Sequence, residues 1–436
     1  MADEHLDIDL TEYATQLQQA VRESGGLGSA RWRLLIERGL STAYRQGDIV
    51  GLCDVVQAIV SLLDAQGRQR DAVAEVEHAI SLAKGEPNAL AMLLSMRATF
   101  QATAGDAVDA LQAIEAAEAQ LPRATLAFAA TKCAYNCLVA RCLILDPSVA
   151  VPEHLSISPG TDARTSDSLF LLSVFIPYAF SLGRGPEMHA WTRMLRLEAE
   201  SIKHDYRIGD AAVFGAAEAA TRSLAALPDD RALPRWNWLA RWRLGVLQFR
   251  QQLLRRDWAG ARDALAALVK ARRRAGQASL DTLDGFEALC HAQLETGEEA
   301  NLATDPPSSL HLLNLPSCLA MAEGIATSGT RTSAGQWRDW LEAVPEHIVT
   351  SLEWPVSRHR LQALLTLRCG DVRGARKHLE RSVAWAAASG YPLEQATAEV
   401  QLTELLRYGS GGGSGPPSRA WRRESSVVLR AEGVVR

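Results

Sequence analysis

The densest collection of chemistry-bearing side chains in this sequence lies between residues 231 and 276. That stretch holds twelve Lys and Arg, eleven of them Arg, against two acids, with Trp236, Trp238, Trp242 and Trp258 interspersed. Guanidinium groups mixed with indoles can grip phosphates or carboxylates and stack on flat rings. Helical spacing sorts the two sets. Trp238, Trp242, Val246, Phe249 and Leu253 fall on one stripe and read as core. Trp236, Arg243 and Arg250 recur every seven residues on a neighbouring stripe, about 100° around the helix. These three are the candidate partner-binding residues. They would form part of a groove that clamps an acidic peptide or a small anionic effector through charge-assisted hydrogen bonds. The competing reading is a solvated basic face. Arg272, Arg273 and Arg274 close the following helix, where cations complement the carbonyl end and require no ligand.

Elsewhere the chemistry is sparse. The sequence has no GxxxxGK[ST], GxGxxG, HExxH or GxSxG motif and no CxxC pair, so none of the devices those motifs encode is expected. Cys133, Cys137 and Cys142 lie close together on one expected helix, but no further His or Cys lies within ten residues of them. They read as small buried hydrophobes rather than a soft-metal cluster. Cys290 and His291 are adjacent, and adjacent helical positions point about 100° apart, which keeps a Cys–His pair from meeting. No catalytic residue, cofactor or metal is expected.

The elements that position these residues are helices. Hydrophobic residues make up 47% of the chain and charged residues 22%, and Ala, Leu and Arg dominate, which favours helix over sheet. At 436 residues the chain is too long for one core, a limit that a repeat array escapes because each unit packs on its neighbours. Turn glycines set the period. Gly47, Gly67, Gly85 and Gly105 are separated by 20, 18 and 20 residues, so a two-helix unit recurs every 38. Each glycine is expected to supply a left-handed helix end. Ala72, Ala110 and Ala375 follow at equal offsets as small residues where paired helices approach. The phrase Asp257-Trp-Ala-Gly-Ala261 superimposes on Asp371-Val-Arg-Gly-Ala375.

In chain order, the pattern predicts helices at 9–24, 30–46 and onward from 48 to 144. An irregular loop follows over 146–167. Helices resume at 168–182, 186–203, 208–226, 235–254, 258–275 and 279–296. Residues 301–316 read as an irregular plug carrying Leu310, Leu312, Leu313 and Leu315. Helices at 317–328, 334–343, 346–369, 372–389 and 392–408 complete the array. This divides the chain into sub-arrays at 1–145 and 168–408, a Gly/Ser/Pro tether at 409–418, and a basic tail at 419–436 with five arginines against two glutamates. The longest apolar run, 169–180, contains Pro177 and is only 12 residues long. A membrane span needs about 20, so none is expected. Seven scattered cysteines and the acidic start MADEHLDIDL point to a cytoplasmic setting. The net charge of −5 implies no partner by itself.

The period and the phrases GDVRGARKHLERSVAWAAASGYPLEQATAEVQLTELL and DWAGARDALAALVKA resemble the tetratricopeptide-like sensor array of large LuxR-type transcription regulators of the maltose-activator class. The resemblance is clearest over 235–408 and more generic over 30–145. It implies a right-handed α-solenoid of stacked antiparallel helix pairs that receives a small effector or a regulatory protein. In that family an ATPase precedes the array and a DNA-binding domain follows it. Here no phosphate loop precedes the repeats. Arg423-Glu424, Val428-Leu429 and Ala431-Glu432-Gly433 are similar to the opening of such a DNA-binding domain, with the spacing off by one residue.

The expectation is an all-α, non-catalytic scaffold or sensor module that presents a concave surface to a protein, a peptide or a small anionic effector. Nucleic acid is not an expected partner of the chain alone. Two other classes remain open: a DNA-binding regulator that uses the arginines of 231–276 and 419–436, and an enzyme with a site between helices.

Overall fold

The computed structural model describes residues 49–149 except 66, 67 and 84, residues 162–275 except 225–226, 229–232 and 234–236, residues 305–410 except 308, and Thr42 and Phe286. Among them the chain is all-α, with fifteen α-helices and no strand. It divides into two compact units. Among the described residues the first comprises Thr42 and 49–149 with short pieces at 237–239 and 273–275, and the second comprises the rest. The expected helices at 9–24, 30–46 and 279–296, the tether and the tail lie outside the described residues.

In the first unit, α1 (Ile49–Ala65), α2 (Gln69–Leu82) and α3 (Pro87–Ala104) pack on one another, as do α3, α4 (Ala107–Glu118) and α5 (Ala127–Leu143). Ala72 and Ala110 are fully buried, as the repeat grammar requires. The second unit contains α6 (Asp162–Ser181), α7 (Gly185–Ser201), α8 (Asp205–Arg222) and all but the first two residues of α9 (Trp238–Arg255) and the last three of α10 (Trp258–Ala275). It continues with α11 (Leu315–Ser328), α12 (Arg331–Ala343), α13 (Arg358–Arg368), α14 (Val372–Ser389) and α15 (Pro392–Ser410). Of the four leucines read as a plug, Leu312 and Leu313 are buried, Leu310 is half-buried, and the buried Leu315 already opens α11.

One turn is used again and again. After α3, α5, α6, α7, α9, α13 and α14 a single residue enters the left-handed region, with φ between 55° and 94°. The next amide then reaches back five residues: Asp106 N to Gln101 O at 2.9 Å, Asp146 N to Arg141 O at 2.9 Å, His204 N to Ala199 O at 2.8 Å, Asp257 N to Gln252 O at 2.9 Å. This bond satisfies a carbonyl that the helix end would leave unpaired. Four of the seven residues are glycines (105, 183, 370, 390), but Leu145, Lys203 and Arg256 do the same work with a side chain. In the two superimposable phrases the Asp that follows becomes the cap of the next helix. Gly260 N donates to Asp257 Oδ1 at 2.9 Å and Gly374 N to Asp371 Oδ1 at 2.8 Å. A Cβ at either glycine would press on the present position of the capping carboxylate, the movable end of the Asp side chain.

Left-handed geometry costs a residue with a side chain about 1–2 kcal/mol, partly recovered through the lower entropy of its unfolded chain. Lys203 is exposed and has φ 55°. Lys203→Gly is therefore expected to stabilise the second unit by roughly 0.5–1 kcal/mol. An unchanged or lowered denaturation midpoint would contradict that account of the turn.

Two expectations are corrected. First, α6 begins at Asp162, inside the stretch read as loop. Second, the helix expected over 346–369 begins only at Arg358. Residues 350–358 are all buried, and those before Arg358 are not helical. Pro355 has no N–H to offer a helix. The strap so formed lies inside the second unit: Val349 N and Thr350 N both donate to Ser181 O, at 2.7 and 3.3 Å.

The second unit also departs from a file of pairs touching only their neighbours. Phe180 meets Tyr391 edge to face at 5.2 Å, Trp385 stacks on Tyr391 at 4.9 Å, and Leu169, Leu244, Leu352 and Ala386 share one core. Residues more than two hundred positions apart thus close this unit on itself.

Candidate functional site

The candidate arginines are on α9. Trp242, Val246 and Phe249 are buried on its apolar stripe, as the spacing predicted. Trp236 lies outside the described residues. Arg243 and Arg250 are not on an open groove, nor on a solvated basic face: Arg243 is 3% exposed and Arg250 7%. Their stripe is covered by the strap, which no local pattern could place there.

Each guanidinium meets the strap. Arg243 Nε lies 2.7 Å from Glu353 Oε1 as an ion pair, without the alignment of a hydrogen bond, and the guanidinium sits over the Phe214 ring at 5.3 Å. Ser351 Oγ donates to the other oxygen of Glu353 at 3.1 Å. Arg250 donates to Pro355 O at 3.4 Å and lies 5.9 Å from the centre of the Trp354 ring. Burial draws its guanidinium down to about 10, with Glu394 and Glu323 opposing.

Helices α11, α13 and α15 complete the cluster. Glu394 Oε1 accepts from Ser357 N at 2.7 Å and from Arg360 Nε at 2.8 Å. Glu323 Oε2 accepts from Trp354 Nε1 at 3.1 Å, and Glu323 Oε1 lies 3.6 Å from Arg360. Arg358 donates to Pro345 O at 2.8 Å. Burial pushes the Glu394 carboxyl above the usual carboxylate range, against the pull of Arg360.

The arrangement has a physical logic. A buried segment that is neither helix nor sheet leaves its backbone groups without regular partners, and each orphan would cost about 1–3 kcal/mol. Here Ser181 O, the Arg250 and Arg358 guanidiniums and the Glu394 carboxylate take those positions. Within the cluster Arg243 pairs with Glu353, and Arg360 lies between Glu394 and Glu323. Its chemistry is that of an internal clamp. The four partners that the sequence reading missed, Glu323, Glu353, Arg360 and Glu394, all lie seventy or more residues beyond Arg250 in the chain, out of reach of any local pattern.

The other chemistry-bearing groups are distributed as follows. Cys133 and Cys142 are fully buried and Cys137 nearly so, as small hydrophobes would be. The Cys290–His291 pair lies outside the described residues. Among the described residues no three His, Cys, Asp or Glu side chains gather as metal ligands, and no helix is long and apolar enough to cross a membrane. His311, His359 and His378 are each held below the ordinary imidazole value, first of all by burial.

No protein-family model matches this chain, and no curated protein matches it.

Proposed function

We propose that the chain is a non-catalytic helical-hairpin scaffold, an interaction or sensing module that holds a protein or peptide partner. The observation that carries the reading is the repeated closure: seven helix ends share one turn geometry, and the alanines at the repeat offsets are buried. Arrays of this kind work by presenting surface rather than by gathering reactive groups. The stacking of α1, α3 and α5 in the first unit supports a tetratricopeptide-like, solenoidal path there. A cytoplasmic role in transcriptional signalling rests on the resemblance of residues 235–408 to LuxR-type sensor arrays.

The test is affinity capture by the intact tagged chain from native extract, with and without excess untagged chain. One protein retained in stoichiometric amount and displaced by the competitor is the expected result. Retention of duplex DNA alone, lost steeply as salt rises, would replace this reading with the DNA-binding one.

A further inference from the structure

The outer face of α14 carries cations that nothing within the described structure answers. Arg373, Lys377 and Arg381 are exposed at i, i+4 and i+8, on the side away from the buried Ala375, Leu379, Ser382 and Ala386. The acid among them, Glu380, is taken by Arg376 at 2.7 Å. Asp371, at the start of the helix, caps Gly374 N. The guanidinium of Arg331 lies over Gly370 at the same end. Among the described residues Arg373, Lys377 and Arg381 have no ion-pair partner.

This placement works against the helix. Like charges four residues apart cost about 0.2–0.5 kcal/mol per pair. The anion that the N-terminal end of a helix favours is supplied by Asp371 alone, and Arg373 adds a cation beside it. A row of cations kept where it weakens its own helix is accounted for by a partner that supplies the missing charge. The row is a ridge inclined to the helix axis, with steps of about 5–6 Å, and the exposed Ala384 and Ala388 share its face, where their small side chains let another backbone come close. The chain as a whole carries −5, which disfavours the long-range attraction that a polyanion such as nucleic acid would exploit.

We propose that this face of α14 docks a helical segment of a partner protein whose carboxylates stand one turn apart, opposite Arg373, Lys377 and Arg381. The proposal rests on the scaffold reading and names the chemistry of its partner.

The experiment uses the full chain and a fluorescein-labelled, alanine-rich helical peptide with Glu at i, i+4 and i+8. The same peptide with Gln at those positions and a short DNA duplex serve as comparisons. The variant is Lys377→Glu, which pairs with Arg373 and Arg381 along the helix and so should raise the melting temperature slightly. The Glu peptide is expected to bind the natural chain in a salt-dependent manner. Lys377→Glu is expected to weaken that binding by at least about tenfold, a combination of higher stability and lost binding that a structural role would not give. Glu and Gln peptides binding alike, no binding of the Glu peptide, an affinity unmoved by Lys377→Glu, or preference for the duplex would each overturn the proposal. Repeating the native capture with Lys377→Glu separates the two levels. A partner still captured by the variant removes this surface and leaves the scaffold reading standing, whereas no capture by either chain removes the scaffold reading itself.

Discussion

Replacing Glu353 by Met is expected to destabilise the second unit by about 3–5 kcal/mol, because it strands the buried Arg243 guanidinium without its counter-charge. The two side chains are each 4% exposed, so water cannot take the place of the lost carboxylate. Arg243→Met should cost a similar amount by stranding Glu353, whose remaining contact is the Ser351 hydroxyl. The double replacement is expected to recover most of the loss, since two apolar side chains of similar volume avoid the desolvation of two ions. Denaturant titration of the four proteins, read as a double-mutant cycle, measures the coupling. Single replacements with no measurable cost would show that the pair is open to solvent. The same physics governs how α9 can be probed: charge reversal at Arg243 or Arg250 is expected to unfold the unit whether or not a partner binds, so lost binding in such a variant would not locate a groove.

What the sequence made legible follows from what is local. Gly85 and Gly105 were expected in left-handed turns because a glycine at a helix end has one common use, and both have positive φ, while Gly47 and Gly67 lie outside the described residues. Leu145, Lys203 and Arg256 make the equivalent turn unannounced, because there the backbone geometry is imposed by the neighbouring helices rather than permitted by the residue. The bounds of α14 matched the expected 372–389, since Asp371 caps one end and Gly390 closes the other. The strap failed the same test. Residues 346–357, EHIVTSLEWPVS, are rich in β-branched residues and Ser and contain Pro355, all of which weaken a helix, and the side-chain partners on α9, α11 and α15 hold the segment in another form. The misplacement of Arg243 and Arg250 has that same cause. Their stripe, about 100° from the apolar one, would face water on an isolated helix pair, and it is buried because a segment a hundred residues later lies across it.

A second large effect is expected from acid. His311 stands at the entry to α11, buried to 6% exposure, with Nδ1 lacking a hydrogen-bond partner. Burial lowers it from 6.5 to about 4, so the folded chain keeps the ring neutral where the unfolded chain already binds a proton. Between pH 6.5 and about 4 the unfolded state therefore carries more protons, and stability must fall as pH falls. The contribution is complete above pH 6.5 and reaches a loss of about 3 kcal/mol near pH 4. His359 and His378 are displaced in the same direction and add to it. His311→Leu removes the titrating ring and the unpaired nitrogen together, so its stability should decline less steeply over this window than that of the natural chain. Other acid-sensitive groups are common to both proteins, so the difference between their stability curves isolates the histidine. Parallel curves from pH 6.5 to 4.5 would mean that the ring is reached by water, and that the packing around the entry to α11 is looser than its burial implies.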